Sequence, residues 1–182
     1  MNIFILCGGR GKRLRPLTWM CPKQFVPVGD DLLLFNLMNH LQQYVSGQIY
    51  INASYKFKIF EKAFKYKDIT LVKETRPLGE KGSLKHFLKL YPHIKNDWLL
   101  VVNGDTLTNL DLYELKRKAT KSIASYDGST YTGIKLLSPK FLQGKEKEIF
   151  KYRSKDMWWR DFGTWSGYYH GLKEYAAFSH LR

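Results

Sequence analysis

The first 28 residues combine glycines and cations at a spacing that suits phosphate binding. A short apolar run at residues 3–6 is followed by three glycines within four positions, Gly8, Gly9 and Gly11. Glycine lets the chain turn sharply and lets a ligand approach the backbone closely. The neighbouring cations are Arg10, Lys12, Arg13, Arg15 and Lys23. Because exposed backbone N–H groups and fixed cations attract phosphate, the sequence predicts a triphosphate-binding loop.

Two common phosphate-binding motifs do not match this loop. A P-loop requires an earlier glycine where this chain has Leu6, and a Ser or Thr where it has Arg13. A dinucleotide-binding GxGxxG motif requires a third glycine where this chain has Leu14. The loop therefore belongs to another class of phosphate site.

The loop resembles the signature of the sugar-1-phosphate nucleotidylyltransferases. That signature is a strand, then G-G-x-G-x-R-L-x-P-L-T, three free positions, P-K and a nearby P-V. Residues 8–18, Pro22-Lys23 and Pro27-Val28 match it at every fixed position. The resemblance implies a Rossmann-like nucleotidyltransferase fold and the reaction of an NTP with a sugar 1-phosphate.

The resemblance continues along the chain in the same order. Residues 78–84, LGEKGSL, are similar to the family's L-G-T-A-G-A-L segment, whose backbone lines the base pocket, although Glu80 and Lys81 replace small residues. Tyr131-Thr132-Gly133-Ile134 looks like the glycine strand beside the sugar, which implies substrate binding at Gly133. The nucleotide-binding residues that the resemblance implies are Leu6, Gly8, Gly9, Gly11, Gly79, Gly82 and Asn103.

Two aspartates are candidates for a shared metal ion. Asn103-Gly104-Asp105 and Asp161-Phe162-Gly163-Thr164 resemble the family's N-G-D and late D-[IV]-G-T segments, whose aspartates hold the metal. Mg²⁺ takes oxygen ligands, commonly one or two carboxylates together with substrate phosphates. Each aspartate follows an apolar run, so its carboxylate can face a crevice. The alternatives are a turn residue for Asp105 and a helix cap for Asp161.

Positioning and charge neutralisation dominate phosphoryl-type transfer, so cations are the expected catalytic groups. Arg13 is expected to stabilise charge on the α-phosphoryl group, and Lys23 to draw the two anionic reactants together. Asp105 completes the catalytic set as a metal ligand. The attacking phosphate oxygen is already ionised at neutral pH, so no general base is required.

The second half of the chain departs from the family pattern. Members of the family carry two further strands before the glycine strand, with a Glu-Lys pair whose lysine contacts the sugar phosphate. Here only residues 118–131 fill that interval, and they contain no such pair. We expect a single domain, residues 1–182, with a shortened acceptor half at about 119–182. Lys135 is a candidate substitute; otherwise the acceptor differs or catalysis is impaired.

Hydrophobic periodicity predicts a three-layer α/β domain with a mostly parallel mixed sheet. Predicted strands are residues 3–6, 48–52, 69–73, 98–102, 123–126, 131–137 and 157–165, and predicted helices are 34–45, 55–67, 139–142, 145–152 and 168–176. A further helix is expected to be capped by Ser83, and another to begin at Asn109 or Asp111. The ligand crevice is expected at the carboxyl ends of the strands.

Composition restricts the classes of function. The net charge of +14 comes from lysines scattered along the chain with no compact basic run, so we expect no nucleic-acid partner. No stretch reaches the roughly 20 apolar residues of a membrane span, and the first residues lack the apolar core of a signal peptide. Cys7 and Cys21 form no disulfide framework, and we expect a cytoplasmic protein.

The leading hypothesis is a Mg²⁺-dependent enzyme that makes an NDP-sugar for polysaccharide biosynthesis. Its expected partners are an NTP, with GTP or UTP favoured and CTP possible, and a sugar 1-phosphate. The alternatives are a choline-phosphate cytidylyltransferase, a nucleotide-binding module without turnover, and a nucleic-acid binder suggested by charge alone. The sequence leaves the base, the sugar and the oligomeric state open.

Overall fold

A computed structural model describes residues 1–44, 46–154 and 157–179 of the 182-residue chain. The strands are β1 (Asn2–Leu6), β2 (Pro27–Val28), β3 (Asp31–Leu32), β4 (Ile49–Ala53), β5 (Thr70–Lys73), β6 (Leu99–Asn103), β7 (Thr106–Thr108), β8 (Ile123–Asp127), β9 (Thr130–Leu137), β10 (Phe150–Tyr152) and β11 (Trp159–Asp161). The helices are α1 (Leu17–Met20), α2 (Leu33–Gln42), α3 (Phe57–Phe64), α4 (Gly79–Leu90), α5 (Leu112–Lys118), α6 (Pro139–Leu142) and α7 (Trp165–Ser179). Short 3₁₀ helices are Lys12–Leu14, Lys23–Phe25 and Pro92–Asn96.

The main sheet has seven strands in the order β10-β8-β9-β6-β1-β4-β5. Strand β1 lies inside the sheet and pairs in parallel with β4 and β6. Strand β5 pairs in parallel with β4, and β10 pairs in parallel with β8. Strand β9 is antiparallel to both β6 and β8. The prediction of a mostly parallel mixed sheet is confirmed, and the carboxyl ends of β1, β4, β5 and β6 meet along one edge.

Apolar side chains cover both faces of this sheet, which produces three layers. Ile3 and Ile5 of β1 pack into a core that includes buried residues of α2 and α3. Phe4, between them, points to the opposite face and stacks on Phe87 of α4, with ring centroids 4.2 Å apart. Alternation along a strand is the cause, since successive side chains face opposite sides of a sheet. Among the described residues, no helix is both long and apolar enough to cross a membrane.

Four local predictions are wrong. Helix α4 begins at Gly79, so Ser83 lies buried inside the helix and is not its cap. Residues 145–152 are not helical: Glu146 accepts hydrogen bonds from Ser122 N (3.0 Å) and Ser138 Oγ (2.6 Å), and β10 follows. The strand predicted at 157–165 is confined to Trp159–Asp161, and α7 starts at residue 165. Helix α2 ends at Gln42, earlier than predicted, and Val45 lies outside the described residues.

Candidate active site

A pocket of about 340 Å³ opens at the carboxyl ends of the central strands. The register of the sheet places three of its lining residues side by side, because Leu6 of β1 pairs with Asn52 of β4 on one side and with Asn103 of β6 on the other. We call it the central pocket. Its lining residues are Leu6, Gly8, Gly9, Arg13, Lys23, Asn52, Glu74, Pro77, Leu78, Gly79, Glu80, Ser83, Asn103, Asp105 and Asp161.

The glycine loop forms one wall of the central pocket because a side chain has no room there. A Cβ atom on Gly8 would lie 2.8 Å from Glu74 Oε2 and 3.1 Å from Asn52 Nδ2. Gly11 has a φ of 62°, a left-handed conformation that glycine adopts without steric cost. The backbone of the loop therefore lies directly against polar groups at the strand ends.

A buried polar network lies behind the glycine loop. Asn52 accepts a hydrogen bond from Cys7 N at 2.6 Å and donates to Glu74 Oε1 at 2.6 Å and to Ser83 Oγ at 3.1 Å. Glu74 is 4% exposed, and its other oxygen, Oε2, is buried with no hydrogen-bond partner among the described residues. An unpaired buried carboxylate oxygen is costly, which points to a ligand that donates hydrogen bonds to it.

Sequence reasoning did not select Glu74 or Asn52, and it named the side chain of Ser83 only as a helix cap. One signal was available: Asn52 lies within β4 and Glu74 directly follows β5, so both are polar residues at the carboxyl ends of parallel strands. Ser83 lies within residues 78–84, the segment whose backbone the family resemblance places at the base pocket, but nothing in the sequence singled out its side chain.

Asp105 and Asp161, 56 positions apart in the sequence, face each other across Gly163. The antiparallel pair β7–β11 places Asp161 opposite Thr106, and Phe162 N donates to the carbonyl oxygen of Asp105 at 2.8 Å. A Cβ atom on Gly163 would lie 2.7 Å from Asp105 Oδ2 and 2.8 Å from Asp161 Oδ1. The two carboxylate oxygens are therefore at most about 5.5 Å apart, the total of those two distances.

Two cations balance this carboxylate pair. Lys23 forms an ion pair with Asp105 in which both side chains are largely buried. The pKa of Asp161 is raised, first by burial and then by the charge of Asp105, while the N–H of Gly163, Lys23 and Arg13 act in the opposite direction. Gly163 N donates to Asp161 Oδ1 at 2.6 Å. Glu74 and Glu80 also line the central pocket, so its described lining carries more carboxylates than cations, which favours a bound cation.

A second cavity of about 550 Å³, the phosphate-loop pocket, shares Arg13, Lys23 and Pro77 with the central pocket. Its lining residues are Arg10, Gly11, Lys12, Arg13, Lys23, Arg76, Pro77 and Gly163. None of these described residues is acidic. A molecule that spans both pockets meets carboxylates at one end and cations at the other.

The structure does not bring every predicted site residue to the central pocket. Gly82 lies inside α4 against Leu78, and Gly133 lies beside Asn103, where a Cβ would be 2.9 Å from Asn103 Cβ. Lys135 forms an ion pair with Glu80, which lines the central pocket, and does not line that pocket itself.

Cys7 is buried next to the glycine loop. Burial is the main cause that raises the pKa of its thiol well above the ordinary range. The thiol is therefore protonated at neutral pH and is not a nucleophile, in agreement with a packing role.

Comparison with known proteins places these observations in a family. The nucleotidyl transferase family matches residues 3–141, well over half of the chain. A D-glycero-alpha-D-manno-heptose 1-phosphate guanylyltransferase of Campylobacter jejuni is 33% identical over 125 residues, which are 66% of this chain and 55% of the relative. A mannose-1-phosphate guanylyltransferase of Mycobacterium tuberculosis is 33% identical over 120 residues, 63% of this chain and 33% of the relative. The chain thus spans about half or less of the length of the curated relatives that it matches.

Solved structures show the same fold. The crystal structure of HddC from Yersinia pseudotuberculosis superposes with a TM-score of 0.78 at 20% identity, covering 96% of this chain and 99% of that one. A complex of HddC with GMP-PN gives a TM-score of 0.74 at 21% identity, with the same coverage. The family match over residues 3–141 agrees with the fold of these solved structures: this chain belongs to the nucleotidyl transferase family.

Proposed function

We propose that this protein transfers a guanylyl group from GTP to a sugar 1-phosphate, with Mg²⁺, and releases pyrophosphate. The observation that carries the proposal is the polarity of the two connected pockets. Buried Glu74 lines only the central pocket, the Asp105–Asp161 pair lies against Gly163 of the phosphate-loop pocket, and the cations of the glycine loop line the phosphate-loop pocket. A nucleoside triphosphate has hydrogen-bond donors, an α-phosphoryl group and further phosphates in the same order. The relatives named guanylyltransferases support the choice of base.

Glu74 favours guanine over the other bases. Guanine carries N–H donors at N1 and N2 on one edge, and a carboxylate accepts from two such donors. Uracil has a single N3–H between two carbonyl oxygens, which a carboxylate repels. Asn52 donates to the other oxygen of Glu74, Oε1, and also donates to Ser83 Oγ, so the unpaired oxygen of Glu74 has little freedom to turn away.

The residues around Asp105 and Asp161 fit a magnesium ion. Two carboxylates across Gly163 supply the number and type of protein ligands that Mg²⁺ commonly takes, and substrate phosphates and water complete its shell. When bound, the ion neutralises charge on the phosphoryl oxygens. The raised pKa of Asp161 agrees with a site whose carboxylates repel each other until a cation binds.

The chain's own residues position an in-line displacement. A phosphate oxygen of the sugar 1-phosphate forms a bond to the α-phosphorus of GTP, and the bond from that phosphorus to the bridging oxygen of the β-phosphate breaks. The leaving pyrophosphate carries the electron pair into the phosphate-loop pocket. Arg13 and Lys23, which line both pockets, stabilise the charge that develops on the α-phosphoryl group.

Two free cysteines agree with a cytoplasmic enzyme.

A nucleotide panel tests both the function and the base. We expect GTP to raise the melting temperature more than UTP, CTP, ATP or dTTP, and to do so more strongly with Mg²⁺. Glu74→Gln keeps the acceptor for Asn52 but loses the second carboxylate oxygen, so the preference for GTP should fall by about 1–3 kcal/mol. Glu61→Gln on the exposed face of α3 is the control with the same change in charge.

Two results of this panel would contradict the proposal. In one, Glu74→Gln has the same melting temperature as wild type without ligand and also keeps the same preference for GTP. The other is a wild-type protein stabilised most by UTP or CTP. The first would remove Glu74 from base recognition, and the second would replace guanine as the base.

The acceptor half yields a separate prediction, because Glu80 holds the one lysine proposed to bind the sugar phosphate. Lys135→Ala should weaken sugar 1-phosphate binding, and Glu80→Gln should strengthen it by releasing Lys135. Both side chains are partly exposed, so each effect should be about two- to fivefold. Calorimetry with a hexose 1-phosphate, in the presence of GTP and without turnover, measures both. Tight binding that neither variant alters would show that Lys135 takes no part in acceptor binding.

A further inference from the structure

A third cavity, of about 320 Å³, adjoins the phosphate-loop pocket. It shares Arg10, Arg76 and Pro77 with that pocket, and Pro77 alone with the central pocket. We call it the outer basic pocket. Its lining residues are Arg10, Arg15, Ser54, Tyr55, Lys56, Thr75, Arg76 and Pro77. Arg15, which sequence reasoning grouped with the triphosphate loop, lines this pocket and neither of the other two.

Three separate segments of the chain bring four cations to the outer basic pocket. Arg10 and Arg15 come from the glycine loop, Lys56 from the link between β4 and α3, and Arg76 from the link between β5 and α4. None of its described lining residues is acidic, and among the described residues none of these four cations is within 4.0 Å of a carboxylate oxygen. Clustered like charges repel one another unless an anion binds between them.

The pocket has a fixed backbone and neutral hydrogen-bond donors between the cations. Tyr55 donates its hydroxyl to the carbonyl oxygen of Thr18 at 2.8 Å, which ties the β4–α3 link to the glycine loop. Ser54 and Thr75 contribute further hydroxyl groups. Lys56 has a φ of 53°, the one positive φ at a non-glycine position among the described residues. Such a conformation persists where the surrounding structure holds it in place.

We propose that the outer basic pocket is a second phosphate-binding site that takes an inorganic condensed phosphate, pyrophosphate or a longer chain. Adjacent phosphoryl groups carry several negative charges within a short length, which matches four cations around a small cavity. The triphosphate of a bound nucleotide occupies the phosphate-loop pocket, so this ligand binds in addition to the nucleotide. One consequence rests on the proposed function: the pyrophosphate product leaves the active site through this pocket.

Calorimetry on nucleotide-saturated protein tests this site without any turnover. Tripolyphosphate and pyrophosphate are titrated separately into protein saturated with GTP, in metal-free buffer because condensed phosphates chelate Mg²⁺. We expect about one molecule to bind per chain. Lys56→Asn removes a charge at a position where asparagine tolerates the left-handed backbone, and Arg15→Ala removes a second. Each should weaken binding about tenfold. Lys58→Asn, an exposed lysine on α3 that does not line the pocket, should bind like wild type.

Three outcomes would overturn the proposal. In the first, saturation with GTP abolishes binding of both anions, which would show that the anions bind in the nucleotide's own site. In the second, the variants Lys56→Asn and Arg15→Ala keep their melting temperatures and bind tripolyphosphate and pyrophosphate as tightly as Lys58→Asn does. In the third, a single-stranded oligonucleotide binds more tightly than tripolyphosphate at physiological salt, and its binding depends on Lys56. That result would make the pocket part of a nucleic-acid surface. If the wild-type protein lacked transferase activity but bound these anions as expected, the result would contradict the proposed function and not the second phosphate-binding site.

Discussion

Replacing Asp105 or Asp161 by asparagine is expected to abolish most turnover while the fold persists. Each change keeps the size of the side chain and removes one of the two carboxylates that face each other across Gly163. Loss of one group that stabilises charge in the transition state lowers kcat by about 10²–10³-fold. The double variant should be little worse than either single one, because groups that act as a unit are not additive. Steady-state kinetics with GTP, Mg²⁺ and a sugar 1-phosphate measure all three.

Stability measurements separate a catalytic Asp161 from a structural one. The pKa of Asp161 is raised in the folded protein, so the folded state holds its proton more tightly than the unfolded state does. Its contribution to stability therefore falls as pH rises from the unfolded pKa through the raised folded one. Asp161→Asn removes this penalty and retains an oxygen acceptor for Gly163 N, so its metal-free melting temperature at neutral pH should equal or exceed that of wild type.

Exposed Asp68→Asn is the matched control and should change neither activity nor melting temperature. A lowered melting temperature in Asp161→Asn, with activity spared in the folded fraction, would make Asp161 a structural cap. A structure with Mg²⁺ and nucleotide gives a direct test. If no single ion contacted both carboxylates, directly or through a water molecule, the pairing of Asp105 with Asp161 would be wrong.

Removing the positive charge of Arg13 or Lys23 is expected to lower kcat/KM by about 10²–10³-fold, or 2.7–4 kcal/mol. Both residues line the central pocket and the phosphate-loop pocket, at the junction where the α-phosphoryl group is proposed to lie. Arg13→Ala affects an exposed side chain and should leave the melting temperature unchanged. Lys23→Ala also leaves Asp105 without its ion-pair partner, so its melting temperature should fall in metal-free buffer.

Added Mg²⁺ should restore the melting temperature of Lys23→Ala without restoring its activity, since a cation can replace the lysine beside Asp105 but not beside the phosphates. Lys62→Ala, an exposed lysine of α3, is the control with the same loss of charge. Unchanged kcat/KM in both Arg13→Ala and Lys23→Ala would exclude the glycine loop from the mechanism.

Local patterns in the sequence were sufficient for most of the fold. Alternating strands and helices through residue 120 predicted a parallel sheet, and the structure confirms it. These elements have strong apolar periodicity that is buried against the sheet, so local and tertiary preferences agree. The helix prediction for residues 145–152 is wrong because it rested on their charges, which suggest a solvated helix. In the structure, Glu146 accepts hydrogen bonds from Ser122 and Ser138, more than seven positions away, and β10 pairs with β8.

The glycine loop is the part of the site that the sequence by itself determined. Its glycines and cations lie within one short segment, so their spacing alone requires a tight turn lined by positive charge. Asp105 was predictable for a related reason: it follows the apolar strand β6, and the ends of parallel strands form the crevice.

Only the tertiary structure decided which distant side chains meet. The pairing of β7 with β11 brings Asp161 to Asp105, and the register of β1, β4 and β5 encloses Glu74 behind Gly8. Lys135 shows the reverse effect, since Glu80, which replaces a small residue of the family pattern, holds it in an ion pair. Spacing along a chain specifies a turn or a helix face, but the contacts between strand ends depend on pairing partners that no local pattern encodes.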